Sequence, residues 1–266
     1  MKQKEEYIIK GGVQGSERLK KLTKSTWKVT KKHVLKAGLK KGLNLIDIGC
    51  GNGLITQKLK RITGKNSRVS AFDFDKDIIS IAKNLNENKP EINFFEFNLS
   101  ENDLNQENKY DFAFVRFFLS HITNPEEVLG RIKKLLKKGG VLYVEDVDFT
   151  AYFSCPQNDA FDTYVRMYEQ LGFNKGANPH IGLKLYEMLI AQNFSQVKVH
   201  STSNCFTQGV GKEIALITME AISEGIIKNK LMTEFETREI IEKLRVFTNT
   251  ENAALSLPRI FFTVPV

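Results

Sequence analysis

Three glycines spaced by two, Gly49, Gly51 and Gly53, follow the apolar run 45–48 and precede a helical pattern that begins at Leu54. Glycine lets the main chain approach a ligand because no Cβ stands in the way. A helix start offers free N–H groups to a negative or polar ligand atom. The stretch therefore predicts a strand, a glycine bend and a helix N-terminus that hold a ligand. A tight turn without a ligand is the alternative.

The spacing of these glycines differs from two common phosphate-binding patterns. A dinucleotide-binding turn would need glycine at position 54 or 56, where the sequence has Leu54 and Thr56. The sequence also lacks the Gly-Lys-Ser/Thr ending of a phosphate-binding loop. It has instead the order acidic–x–Gly–x–Gly–x–Gly, in which Asp47 is the acidic residue.

The next two strand patterns, 68–73 and 92–97, each lead to a polar side chain. Asp73 lies 20 residues after Gly53, and a carboxylate at the end of the neighbouring strand can accept hydrogen bonds from both hydroxyls of a ribose. A turn residue is the alternative for Asp73. Phe74 could lie against an adenine ring or in the core. Asn98 could contact the adenine amino group, while Leu99 packs on the ring.

Two further strand patterns, 110–115 and 141–144, are followed by Arg116 and by an acidic run that includes Asp146 and Asp148. His121 is the candidate general base for a substrate that starts protonated; an imidazole that only holds its loop is the alternative. Asp146 and Asp148 could orient a substrate or bind a cation. His180 could line the substrate pocket or serve its loop. The positive charge of Arg116 argues against a metal site, so we expect no metal.

Five strand–helix repeats by residue 148 predict a doubly wound α/β fold with a mostly parallel sheet and helices on both faces. Ligands of such sheets bind beyond the carboxyl ends of the strands. The glycine bend and the polar residues named above all fall at those ends, which favours a ligand site there.

The chain resembles class I S-adenosylmethionine-dependent methyltransferases over roughly residues 40–200. The resemblance rests on 45–53, on the ending Ala71-Phe72-Asp73, on Tyr110-Asp111 and on Leu136-x-x-Gly139-Gly140. Tyr7, Gly11-Gly12, the segment 17–19, Arg116…His121, the run 145–148 and Pro179-x-Ile181-Gly182 are similar to the small-molecule-type methyltransferases. The resemblance implies a Rossmann-like sheet of seven strands with the last antiparallel, where 195–201 and 259–264 are strands six and seven.

The resemblance also implies roles for matched residues. The three glycines would line the methionine portion of S-adenosyl-L-methionine, Asp73 would hold the ribose, Phe74 the adenine, and Tyr7 and Arg18 would close over the cofactor carboxylate. The implied cofactor-binding set is Tyr7, Arg18, Asp47, Gly49, Gly51, Gly53, Asp73, Phe74, Asn98, Leu99 and Arg116. Asn98 stands where relatives often have aspartate, and Leu99 would contribute its backbone N–H.

Four segments are expected along the chain. Residues 1–42 would form an N-terminal helical lid or a plain surface cap, 43–205 the core, 206–257 a helical insertion over the acceptor site and 258–266 the final antiparallel strand. The apolar stripes of the insertion would also suit ordinary packing or a dimer interface, so we expect a monomer or homodimer.

Composition limits the partners and the compartment. The net charge is +8, and residues 1–42 carry 13 basic residues against 3 glutamates, so the remainder sums to −2. Three widely spaced cysteines indicate reduced thiols. Without an apolar run long enough for a membrane span or a signal peptide, we expect a cytoplasmic protein.

The sequence therefore predicts an enzyme that methylates an O, N or S atom of a small molecule. An RNA methyltransferase that uses the basic N-terminal arm is possible but not favoured, because Arg116-Phe117-Phe118 replaces the motif typical of base-amine methylation. A cofactor-binding module without turnover is the third reading.

Overall fold

The computed structural model describes residue 9 and residues 12–266. Within them the α-helices are α1 (Gly12–Lys36), α2 (Leu54–Thr63), α3 (Lys76–Leu85), α4 (Pro125–Leu135), α5 (Asp159–Asn174), α6 (Ile181–Ala191), α7 (Ile214–Lys228) and α8 (Glu234–Asn249). The strands are β1 (Leu45–Ile48), β2 (Val69–Asp73), β3 (Ile92–Glu96), β4 (Tyr110–Arg116), β5 (Leu136–Val147), β6 (Ser154–Cys155), β7 (Lys198–Phe206) and β8 (Ala254–Pro265). Tyr7 lies outside the described residues.

The strands form one sheet in the order β3-β2-β1-β4-β5-β8-β6, with β7 also paired to β8. The first five strands are parallel, and β8 runs antiparallel to β5 and β7. The predicted doubly wound fold is thus confirmed, with one addition: the two-residue strand β6 makes the sheet eight-stranded. The last strands are longer than predicted because their ladder continues from Lys198 opposite Thr263 to Phe206 opposite Leu255.

The period of two along each strand separates two cores. One face of the sheet packs on α1, α2 and α3, and the other face packs on α4 and α6. Leu45, Ala71 and Phe112 face the first group of helices, whereas Ile46, Phe72 and Ala113 face the second. Strands that are buried on both faces read as continuous apolar runs, which is why the sequence pattern identified them.

A third core lies beyond the sheet. Helices α5, α7 and α8 pack together and on Phe149 and Leu255, near the carboxyl end of β5 and the start of β8. We call α5, α7 and α8 the helical cap. Helix α1 joins this cap to the sheet, since Lys21 Nζ lies 2.7 Å from Glu213 Oε2 at the start of α7.

A buried ion pair fastens β8 and α1 to β5. Arg259 Nη1 donates to Glu145 Oε1 at 2.6 Å, and both side chains are fully buried. Thr30 Oγ1 of α1 donates to the same carboxylate oxygen at 3.1 Å. Burial lowers the pKa of the nearby Arg116, and the charge of Glu145 opposes that shift. Glu145 therefore compensates two interior arginines.

Replacing Glu145→Ala should lower the free energy of unfolding by about 3–5 kcal/mol, because it leaves buried positive charge without its partner. Denaturation by urea measures the change. The matched control is Glu239→Ala, which removes an exposed pair to Lys243 and should cost only ~0.5 kcal/mol or less. Similar losses in the two variants would contradict this role for Glu145.

Candidate functional site

The glycine bend has the geometry that its residues predict. Gly49, Gly51 and Gly53 all have positive φ angles, of 69°, 53° and 73°. A Cβ on Gly51 would also lie 2.8 Å from Leu19 Cδ1 of α1. The bend therefore needs glycine for its backbone conformation, and α1 covers it closely.

Asp73 contacts this bend directly. The backbone N–H of Gly51 donates to Asp73 Oδ2 at 3.0 Å, and that of Asp75 donates to Oδ1 at 3.2 Å. Burial raises the pKa of Asp73 to about 6, although both amides favour the ionised form. Asp75 in turn caps α3 by accepting from the backbone of Asp77 and Ile78. The end of β2 is thus joined to the turn after β1.

Asn52 fixes the start of α1 to the same bend. Its buried side chain donates through Nδ2 to the backbone oxygen of Ser16 at 3.0 Å and to Ser16 Oγ at 3.2 Å. Its Oδ1 accepts from Leu54 N at 3.3 Å. One side chain therefore connects α1, the bend and the first turn of α2. The glycine spacing drew attention to this stretch, but it gave no sign that Asn52 contacts a helix 36 residues earlier.

A cavity lies between the glycine bend and the helical cap. Its sheet side includes Gly51, Asp73, Phe74 and Ile78, and α1 contributes Gly15, Arg18, Leu19 and Leu22. Four of the predicted cofactor residues therefore face one space: Arg18, Gly51, Asp73 and Phe74. Gly49 and Gly53 shape the bend from outside the cavity lining.

The opposite wall of the cavity is largely aromatic. It is formed by Phe117, Phe149, Tyr152, Tyr164 and Tyr168, with Ser120, His121, Ile214, Thr218 and Leu257. Arg18 Nε donates to Thr218 Oγ1 of α7 at 3.3 Å, which places the guanidinium beside this wall. Burial raises the pKa of Tyr164 to about 12, and the positive charge of Arg18 opposes the shift.

His121 lines the cavity, as the sequence predicts for a candidate base. Burial and, to a smaller extent, the charge of Arg18 lower the pKa of His121 to about 3. A neutral imidazole can accept a hydrogen bond or a proton. With so low a pKa it is a weak base.

The two aspartates predicted near the acceptor hold backbone instead and do not line the cavity. Asp146 is fully buried, and its Oδ2 accepts from Ser120 N at 3.2 Å, which fixes the loop that carries His121. Burial raises the pKa of Asp146 to about 6. Asp148 accepts from Thr150 N at 3.1 Å and caps a short turn at 149–151.

His180 also lies outside the cavity lining, where it joins α5 to the start of α6. Its Nε2 is 2.6 Å from Glu169 Oε1, and its ring meets Phe173 edge-on at 5.5 Å between centroids. The place of His180 at the start of α6 fixes its backbone, whereas Glu169 and Phe173 determine where its ring points.

Four of the predicted cofactor residues likewise have structural neighbours and are not in the cavity lining. Asn98 Oδ1 accepts from Ser100 N at 3.0 Å. Leu99 is buried in the core, and its carbonyl accepts from Arg131. Arg116 donates to Thr26 Oγ1 of α1 at 3.0 Å.

The fourth, Asp47, accepts from Thr56 Oγ1 of α2 at 2.6 Å. Burial raises the pKa of Asp47 to about 7. Asp47 therefore positions α2 behind the glycine bend and holds the first strand to the first helix.

The described part of the chain shows neither a cluster of metal ligands nor a helix that could span a membrane. Across residue 9 and residues 12–266, no group of three or more His, Cys, Asp or Glu side chains could hold a metal ion. In the same part of the chain, every helix is too short or too polar to cross a membrane.

Comparison with known proteins gives the family. A family model described as a methyltransferase domain matches residues 39–237, which is most of the chain. The chain therefore belongs to the methyltransferase domain family, and the resemblance noted in the sequence is confirmed.

Two relatives show how much of the sequence is shared. The chain is 33% identical over 126 residues to a mitochondrial ubiquinone biosynthesis O-methyltransferase of Dictyostelium discoideum, covering 42% of this chain and 38% of that protein. It is 25% identical to a ubiquinone/menaquinone biosynthesis C-methyltransferase of Shewanella pealeana, covering 50% and 51%. The chain thus spans about half the length, or less, of these relatives.

A solved structure shares the fold. Phosphoethanolamine N-methyltransferase 2 of Haemonchus contortus, in complex with S-adenosyl-L-methionine, superposes with a TM-score of 0.54 at 15% identity. The match covers 94% of this chain and 53% of that one. The names of these three proteins assign methylation at oxygen, carbon and nitrogen, so the shared fold leaves the acceptor atom open.

Replacing Asp47→Asn should change how stability depends on pH. Burial raises the pKa of Asp47 from 3.8 to about 7, so the folded protein holds this proton more tightly than the unfolded chain. Stability should therefore fall as the pH rises from about 4 to 7. In the variant this fall should be smaller by more than ~1 kcal/mol, measured by urea unfolding at both pH values. Equal falls would contradict the assignment.

The ring of His121 should stay neutral over the usual pH range. Because burial lowers its pKa to about 3, its ring-proton NMR resonances should not titrate between pH 8 and pH 5. His121→Gln identifies the resonances. A titration midpoint near 6.5 would contradict the burial of this ring.

Proposed function

We propose that this protein transfers a methyl group from S-adenosyl-L-methionine to an O, N or S atom of a small molecule. The observation that carries the proposal is the contact of the Gly51 amide with the Asp73 carboxylate at the edge of a cavity. Family membership supports the reaction class, since a methyltransferase domain covers the core and the cavity edge.

The cofactor takes the sheet side of the cavity in this proposal. The methionine portion follows the bend at 49–53. The N-cap of α2, Gly53, has no side chain and Asn52 accepts from Leu54 N, so the next amides of the first turn are left to the ligand. Asp73 keeps lone pairs for the ribose hydroxyls after it has accepted from two backbone amides. Phe74 and Ile78 border the same space and suit the adenine.

Three of the predicted cofactor residues have structural roles outside the cavity lining: Asn98, Leu99 and Arg116. We therefore assign Asn98 and Leu99 to the turn after β3, and Arg116 to the attachment of α1. The proposed contact of Tyr7 with the cofactor concerns a residue outside those that the structure describes.

Alignment supplies most of the catalysis in such a reaction. The acceptor atom attacks the methyl carbon in line with the bond to sulfur, and the leaving thioether is neutral, so no acid is needed. Holding the two reactants in line is worth up to ~7–11 kcal/mol in favourable cases. Asn52 and Leu19 bring α1 over the bend, and this cover keeps water from the reacting atoms.

His121 faces the acceptor in this proposal, and Asp146 is a positioning residue. The neutral ring of His121 is suited to accept a hydrogen bond from the acceptor. Asp146 holds the backbone of Ser120 and so sets the place of that ring. The helical cap and α1 then close the acceptor side.

The two alternative functions remain open predictions. RNA could bind the exposed lysines of α1, such as Lys24, Lys28 and Lys31. A module without turnover would bind the cofactor and release no demethylated product with any acceptor. Monomer or homodimer likewise remains a prediction.

Titration calorimetry with S-adenosylhomocysteine tests the proposal. The wild type should bind it, and Asp73→Asn should weaken binding by about 10–100-fold, because charge-assisted hydrogen bonds contribute ~1.5–3 kcal/mol. The matched control is Asp77→Asn, four residues away on the exposed side of α3, which should bind as the wild type does. A wild type that binds neither S-adenosylhomocysteine nor S-adenosylmethionine would refute the proposed function.

A further inference from the structure

The cavity wall across from the glycine bend contains a stack of three aromatic rings. The ring of Phe149 stacks on Tyr152, with centroids 4.4 Å apart and an interplanar angle of 20°. Phe149 also stacks on Tyr168, with centroids 4.3 Å apart and an interplanar angle of 6°. All three rings line the cavity, and Phe117 lies there too. Phe149 is therefore covered on both faces by the two tyrosines, and the stack can pack on an aromatic ligand through its ring edges.

A positive charge, the guanidinium of Arg18, lies beside this stack of rings. Arg18 lines the cavity, and its Nε donates to Thr218 Oγ1 at 3.3 Å. No carboxylate among residue 9 and residues 12–266 lies within salt-bridge distance of Arg18. A partly buried cation is costly unless an anion pairs with it. The guanidinium fork also matches the geometry of a carboxylate, which it can bind through two parallel hydrogen bonds.

Arg18 points away from the ribose end of the cavity. Its neighbour Leu19 packs on Gly51, whereas Arg18 itself reaches α7. Successive residues of a helix point about 100° apart, so the two side chains serve different parts of the cavity. The electrostatic influence agrees: Arg18 acts on the pKa of Tyr164, Tyr168 and His121, while burial, amides and Asp75 govern Asp73.

We propose that the methyl acceptor is a small planar aromatic acid whose carboxylate pairs with Arg18 while its ring packs against the edges of the stack that Phe149 forms with Tyr152 and Tyr168. The inference rests on the proposed function and adds the acceptor class to it. It also replaces the expectation that Arg18 contacts the carboxylate of the cofactor. Thr218 orients the guanidinium, and Tyr164 and Tyr168 surround the acid.

Two probes that differ by one carboxylate test this assignment. Protein saturated with S-adenosylhomocysteine is titrated with 3,4-dihydroxybenzoate and, separately, with catechol. The acid should bind at least ~10-fold more tightly than catechol, since one charge-assisted pair contributes ~1.5–3 kcal/mol. In Arg18→Met this preference should vanish, while the affinity for S-adenosylhomocysteine stays within ~3-fold of the wild type.

Lys21→Met is the matched control. Lys21 lies one turn further along α1 and pairs with Glu213 outside the cavity lining, so its loss should preserve the preference. Thermal unfolding of both variants checks that each is folded.

Three outcomes overturn the inference. The first is equal binding of the two probes to the wild type, and the second is binding of neither. The third is an Arg18→Met variant that loses S-adenosylhomocysteine affinity and keeps the preference for the acid, because Arg18 would then serve the cofactor. In each of these cases the wild type still binds S-adenosylhomocysteine, so the proposed function survives. Failure of the wild type to bind it is the separate result that removes both.

Discussion

A single hydrogen bond, from the amide of Gly51 to the carboxylate of Asp73, determines the shape of the candidate site. It joins the turn after β1 to the end of β2, and it partly compensates a carboxylate whose pKa burial raises to about 6. Gly51 makes this bond with a φ of 53°, a backbone conformation that favours glycine. The same conformation leaves the space that Leu19 of α1 covers.

Helix α1 is both a cover for the bend and a wall of the cavity. Asn52 holds its first turns, Arg18 and Lys21 join it to α7, and Thr30 reaches the buried Glu145. These bonds are spread along the whole helix, so α1 is fixed over the bend at several points.

Sequence reasoning succeeded where chain order alone fixes position. In a βαβ unit the ends of neighbouring strands must meet, so the spacing from Gly53 to Asp73 was enough to place the carboxylate near the bend. Chain order did not determine where a side chain at that edge points. Asp146 and Asp148 lie at the correct edge, but one holds the backbone of Ser120 and the other that of Thr150.

The helical cap was harder still to predict in detail. Tyr164 and Tyr168, one turn apart on α5, share a face that any packed helix would show. Their place in the cavity depends on contacts with α7 and on Phe149, which are distant in sequence. Apolar stripes predicted that the helices pack, and only the tertiary structure shows which side chains then meet a ligand.

The charges of the cavity suggest why an acid would suit this site. A bound sulfonium adds a positive charge near the bend, and Arg18 supplies another across the cavity. A planar anion between them is attracted by both, whereas Asp73 and Asp75, which line the sheet side of the cavity, repel it from the ribose end. These forces are stronger in a poorly hydrated space than in water. In the proposed reaction, methyl transfer converts the sulfonium to a neutral thioether and so removes one of the two attractions. The same arrangement that aligns the acceptor before transfer therefore holds the product less tightly afterwards.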